Sequence, residues 1–223
     1  MRRFIPPIAL LTAVMLMALS ASAAQTKPHL SFVRGGGATI GFSNEGGSSP
    51  ADTTGNTQSL RINVPAGGGA SAYTYGTDET LVGIRGLTLS QITHLGFDTK
   101  GYLGAGAPRI SLGTLGDDGL HTYFLAASHC NDALSDGWVE ADFIHDATDC
   151  VIYRDATPYT GWAAVAAVAD ANNEVVQSTP NDWFLIVDES PSLTYVDRLT
   201  VQNWMWTRSG DPGIVNCNVG TCV

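Results

Sequence analysis

Thr194, Tyr195, Val196, Asp197, Arg198, Leu199, Thr200 and Val201 form eight consecutive residues dense in β-branched, aromatic and aliphatic side chains. They follow a second apolar run, Trp183 to Val187, closed by Asp188. Such side chains fit the pleated, half-buried surface of a sheet better than the tight turns of a helix. The same theme recurs upstream. In Ser59 to Val64, Leu60, Ile62 and Val64 alternate with Arg61 and Asn63, the period-two signature of a strand with one buried face. Shorter runs fall at 30–33, 38–42, 72–75, 110–112, 122–127, 138–145 and 150–153, separated by clusters of Gly, Ser, Asn and Asp. Strands at that spacing, punctuated by turn residues, predict a sandwich or barrel. The glycine triplets at 35–37 and 67–69 serve as turns, because no helix follows either one to cradle a phosphate.

One interval departs from the pattern. Residues 161–173 hold Trp162, Val165, Val168 and six alanines. Alanine favours helix and is poor in strands. A short helix is expected there, capped by Thr160 and ended by Asn172 and Asn173.

The N-terminus has the three-part layout of an export signal. Arg2 and Arg3 supply positive charge, residues 8–19 are apolar, and Ala21, Ser22, Ala23 and Ala24 offer a small-residue cleavage site. The apolar stretch falls short of the roughly 20 residues a membrane span needs. The expected division is a signal peptide over 1–24 and a β-sandwich domain over 25–223, secreted to the extracellular space or the periplasm. The chain carries a net charge of −10, which becomes −12 once Arg2 and Arg3 are removed. With two lysines in all, Lys27 and Lys100, and no basic run, it lacks the electrostatic footprint of a nucleic-acid binder. The same balance argues against anionic membrane surfaces.

Four cysteines in an exported chain predict two disulfides. Local pairing, Cys130 with Cys150 and Cys217 with Cys222, is favoured because near thiols meet most often, and the two other connectivities stay open.

The pieces Thr57 to Val64, His94 to Asp98, Ala107 to Leu112 and Tyr195 to Val201 occur in an order that resembles jelly-roll carbohydrate-binding modules of the galactose-binding-like kind. The resemblance implies an all-β fold, a jelly-roll β-sandwich, to which the alanine-rich interval adds one short helix. It also implies a structural calcium near the first strands and the last, for which Asn44, Glu45, Asp52 and Asp197 supply the oxygens.

For chemistry, the run from Trp138 to Phe143 stands out. Period two puts Trp138, Glu140 and Asp142 on one face and Val139, Ala141 and Phe143 on the core side. A sugar offers a CH face to tryptophan and hydroxyl donors to carboxylates, so the first set is a candidate glycan surface. Arg61, Asn63 and Arg109 join it if their strands lie alongside. The same acids permit a hydrolase: Glu140-x-Asp142 resembles the acid strand of some jelly-roll glycoside hydrolases, with His145 where a third acid would stand. Other hydrolase signals are weaker. Ser128 and His129 are sequence neighbours, which point to opposite faces of a strand. The five histidines, 29, 94, 121, 129 and 145, show no metal-ligand spacing. Trp204 and Trp206 are expected to pack beneath the Cys217–Cys222 loop, since bare tryptophan is costly.

The expectation is a secreted noncatalytic binding protein for a polysaccharide or other glycan, with no nucleic-acid partner and no membrane span. The alternatives are a secreted glycoside hydrolase or lyase, and an extracellular structural or adhesion protein.

Overall fold

The computed structural model describes residues 30–222 except 67–71, 77–82, 105, 131, 147–149, 178–182, 209–212, 215–216 and 219–220. The expected export segment lies outside the described residues. In chain order the strands are β1 (Leu30–Arg34), β2 (Thr39–Ser43), β3 (Ser59–Val64), β4 (Ala72–Gly76), β5 (Leu95–Gly101) and β6 (Arg109–Gly116). Next come β7 (Gly119–Ala126), β8 (Asp132–Ala133), β9 (Trp138–Asp142), β10 (Val151–Arg154), β11 (Thr157–Thr160) and, after the helix α1 (Trp162–Ala171), β12 (Val175–Gln177). The last are β13 (Trp183–Val187), β14 (Ser192–Val201), β15 (Trp204–Trp206), β16 (Gly213–Ile214), β17 (Cys217–Asn218) and β18 (Thr221–Cys222).

They form two antiparallel eight-stranded sheets. The first runs β1-β4-β13-β6-β7-β10-β11, with β12 also on β6; the second runs β16-β15-β14-β5-β9-β8, with β3 on β14 and β2 on β3. This is the all-β sandwich with one short helix that the alternating runs predict.

The alternation explains the core. Leu60, Ile62, Leu95, Phe97, Ala141, Leu199 and Val201 come from the second sheet. They meet Ile110, Leu112, Tyr123, Leu125, Ile152, Leu185 and Val187 from the first, all nearly or fully buried. Each fully buried Leu, Ile or Phe contributes about 1.5–3 kcal/mol. Trp204 and Trp206 join this core through β15, which pairs with β14. Cys217 and Cys222 face one another across the β17–β18 hairpin. Their side chains, and any contact with the two tryptophans, lie outside what is described.

Helix α1 buries Trp162, Val165, Ala166 and Ala169, and the Trp162 indole N–H donates to the Leu89 carbonyl at 3.2 Å. Its start differs from the sequence expectation. Thr160 ends β11, and Gly161, with φ of 79°, precedes the first turn without a side-chain cap. Only glycine enters that backbone region at no steric cost. The end is as expected, with Asn172 as the last flanking residue and Asn173 in the left-handed region at φ 53°.

One local break in β14 matters most. Ser192, Thr194 and Val196 are buried at every second position, and Leu199 and Val201 resume after a gap of three. The pairing with β5 slips between Asp197 and Thr200, and Arg198 takes a left-handed φ of 46°. This is the geometry of a β-bulge, in which one extra residue re-aims its neighbours.

Candidate functional site

A cleft of about 380 Å³ opens on the solvent face of the second sheet, where β5, β9 and the bulge of β14 meet the loop after β9. Its floor includes Gly96. A Cβ at that position would collide with the Ala141 carbonyl, so β5 and β9 can close there only around glycine. Cys130 and Cys150 are disulfide-bonded, which ties the far end of the loop carrying His145 and Asp146 to the turn after β7.

The site is built on a row of acids. In β5, Leu95, Phe97 and Thr99 face the core, which turns Gly96, Asp98 and Lys100 outward. Asp98 pairs with Asp197 of β14 on one side and Glu140 of β9 on the other, and Glu140 pairs with Asp132 of β8. Four carboxyl residues thus stand side by side on four adjacent strands. Like charges directly opposite one another destabilise a sheet, so such a row persists only with compensation.

The compensation is visible. Arg198, re-aimed by the bulge, reaches Asp98 at 3.2 Å and Glu140 at 3.3 Å through the same guanidinium nitrogen. The loop between β2 and β3 lies over the other end. Ser49, 2% exposed, donates its backbone N–H to Asp197 at 2.7 Å and its hydroxyl to Asp98. Gly46 of the same loop rests on the Tyr195 ring, where no Cβ would fit.

Asp98 and Asp197 are 2% and 1% exposed. Burial pushes the Asp98 carboxyl up to about 6, with Glu140 adding to the rise and Arg198 and Ser49 opposing it. Burial pushes Asp197 up to about 7 against its bonds from the Ser49 and Arg198 backbone, and Asp52 and Asp98 add to the rise. The network running Asp197, Ser49, Asp98, Arg198, Glu140 therefore joins two acids whose titration is raised toward neutrality to the lining of the cleft.

Farther along β9 the cleft is lined by Asp142 and His145. Asp142 accepts the His145 ring Nδ1 at 2.8 Å and the backbone N–H groups of Ile144 and His145 at 3.1 and 3.0 Å. The His94 ring lies 5.1 Å from that of His145. Burial, and then His145, hold His94 below the ordinary imidazole value.

Of the sequence candidates, Glu140 and Asp142 line this cleft. Trp138 does not: it is 2% exposed, so the expected sugar-stacking face is closed. Arg61 shares the outer face, in the cross-strand row Arg61, Tyr195, Lys100, Trp138, but ion-pairs with Glu45 at 2.8 Å and does not line the cleft. Asn63 pairs with Leu193 and Thr39, farther along β3. Arg109 belongs to the other sheet, where it binds Asp188 at 2.6 Å and lies over the Phe124 ring.

The residues expected to hold calcium each have partners within the protein. Glu45 is held by Arg61, Asp52 accepts the Thr54 N–H at 2.8 Å, Asn44 accepts the Thr57 hydroxyl at 3.4 Å, and Asp197 is bound to Ser49.

Among the described residues, one group of three side chains does have metal-ligand proximity: Asp118, His121 and Glu174, with ligand atoms within 4.8 Å of one another. Arg154 bridges Asp118 at 3.1 Å and Glu174 at 2.7 Å, and the two His121 ring nitrogens meet Asp118 and Asp155 at 2.8 Å each. Glu174 is fully buried; burial opposes its charge, but Thr114, Tyr123 and Arg154 hold it below the ordinary carboxylate value. The group is a clamp of three carboxyls around Arg154 and His121, between the β6–β7 hairpin, β10 and the segment after α1.

Sequence reasoning missed Asp98, Asp132, Asp146, Arg198 and Ser49. Two signals were there to use: the alternation of β5, which turns Asp98 outward, and the three-residue spacing from Val196 to Leu199, which announces the bulge. No helix among the described residues is long and apolar enough to cross a membrane. Compared with family profiles, curated proteins and solved structures, the chain matches none.

Proposed function

We propose that this is an exported, noncatalytic glycan-binding protein whose ligand lies in the cleft over β5, β9 and the β14 bulge. The observation that carries the reading is the set of acceptors fixed in an open cleft on a sheet face, with Glu140 steadied by Arg198 and Asp142 by His145. Sugar hydroxyls are donors, and acceptors held in place before binding lose little freedom when a ligand arrives. The resemblance to jelly-roll carbohydrate-binding modules supports the same reading, as does a disulfide suited to an oxidising compartment. With Trp138 buried, recognition runs through hydrogen bonds and not through a flat aromatic platform.

A second reading, glycoside hydrolysis, is favoured by one observation. Asp98, raised to about 6, is a carboxyl able to donate a proton near neutrality, and Glu140 stands opposite it. Its burial beneath Ser49 keeps it second.

A broad glycan array, followed by assay of released reducing ends on whatever binds, tests both. The binding reading expects retention without release, reduced in Glu140→Gln and Asp142→Asn. Release abolished by Asp98→Asn would favour hydrolysis, and a blank array would leave a structural or adhesive role.

A further inference from the structure

The cleft has a charge as well as a shape. Its lining holds five carboxyl side chains, Asp98, Asp132, Glu140, Asp142 and Asp146, against one guanidinium, that of Arg198. Arg198 is already bound to Asp98 and Glu140, so its charge is turned inward. The histidines do not redress the balance: His94 is held below the ordinary imidazole value, and even with His145 counted as a cation on Asp142, five carboxyls face two cations. The whole chain, at −10, adds potential of the same sign.

The acids are also spaced. Asp98, Glu140 and Asp132 occupy one cross-strand row, and adjacent strands lie about 4.8 Å apart. A polymer crossing the strands meets the accessible carboxyls of β9 and β8 in turn, with Asp98 beneath. Asp98 is deepest, whereas Asp132 is exposed and the Glu140 and Asp142 side chains are about one-third exposed, at 35% and 34%.

An anionic glycan, uronate or sulfate, would bring like charge into this space at a cost. A neutral glycan offers hydroxyl donors only. An ammonium group offers three donors and a compensating charge, and such charge-assisted bonds are roughly twice as strong as neutral ones. We propose that the ligand is an amine-bearing glycan, an oligomer or polymer of unacetylated amino sugar, whose ammonium groups face Asp132, Glu140 and Asp142. This inference rests on the glycan reading above and gives it a ligand class.

Calorimetry on the full chain with glucosamine hexamer, N-acetylglucosamine hexamer, cellohexaose, oligogalacturonate and a lysine hexapeptide tests it. The glucosamine hexamer should bind, the acetylated and neutral hexamers about tenfold or more weaker, and added salt should weaken binding. Glu140→Gln and Asp132→Asn should each reduce affinity for the glucosamine hexamer. Asp132 is exposed on a two-residue strand, so its variant keeps the fold and reads the site alone. Equal binding of acetylated or neutral hexamers, or preference for the uronate, would overturn the amine class and leave the glycan reading standing. Binding of no glycan overturns both, and binding of the lysine peptide alone hands the cleft to a basic polypeptide.

Discussion

Asp98 of β5 stands directly opposite Glu140 of β9, and one guanidinium nitrogen of Arg198 holds both carboxyl groups. Arg198 can do so only because the chain bulges at its position and places it in the left-handed region. Positive φ on a residue with a long side chain costs of order 1–3 kcal/mol and persists where surrounding contacts over-determine it. Here the contacts are the acids of the cleft, so backbone strain, charge and cavity coincide at one point on the sheet.

Removing Arg198 should therefore cost more than an ordinary surface arginine. Arg198→Ala leaves Asp98 and Glu140 facing each other without a counter-charge, and because Glu140 is one-third exposed and Asp98 can take up a proton, the cost is about 1–3 kcal/mol. Adding Asp98→Asn should recover part of the loss, a coupling readable by urea unfolding of the single and double variants.

The raised acids make stability depend on pH. Folded values near 6 for Asp98 and 7 for Asp197 exceed the ordinary 3.8, so the folded state binds more protons than the unfolded chain between about pH 4 and 7. The stability these groups contribute must fall as pH rises through that window. At about 1.4 kcal/mol per unit, the combined effect is several kcal/mol at most. Thermal unfolding from pH 4 to pH 8 should show it, and Asp197→Asn should flatten the slope.

Ser49 is the loop's contact with both acids. Ser49→Ala keeps the backbone bond to Asp197 and removes the hydroxyl bond to Asp98. It should destabilise by about 1–2 kcal/mol and raise the Asp98 titration midpoint further, since the lost bond favours the charged form. Carboxyl-carbon NMR titration reads that midpoint directly.

The Cys130–Cys150 bridge closes a segment that contains β8, β9 and the His145 loop. For its separation of 20 residues, reduction should cost about 3 kcal/mol. Limited proteolysis with and without reductant should show new cleavage in this segment and leave the β6–β7 hairpin intact.

The fold was legible where one face of a strand is plainly apolar. Leu60, Ile62 and Val64 announced β3, and the alanine-rich interval announced α1, because period and propensity are local properties. The site was half legible. Glu140 and Asp142 emerged from alternation within one strand. Asp98 and Arg198 were hidden, because their meaning comes from pairing between strands far apart in sequence, which no single-strand pattern encodes. Trp138 misled for a related reason: alternation gives a side chain's face but not whether something covers it. The three-residue step from Val196 to Leu199 was the one local clue to the bulge.

Backbone amide shift mapping with a glycan oligomer that the chain retains tests the central claim most directly. The account predicts shifts concentrated at Gly96, Asp98, Glu140, Asp142 and Arg198, and lost in Glu140→Gln. Shifts centred on the first sheet, around Arg109 and Phe124, or shifts unchanged by that substitution, would contradict it.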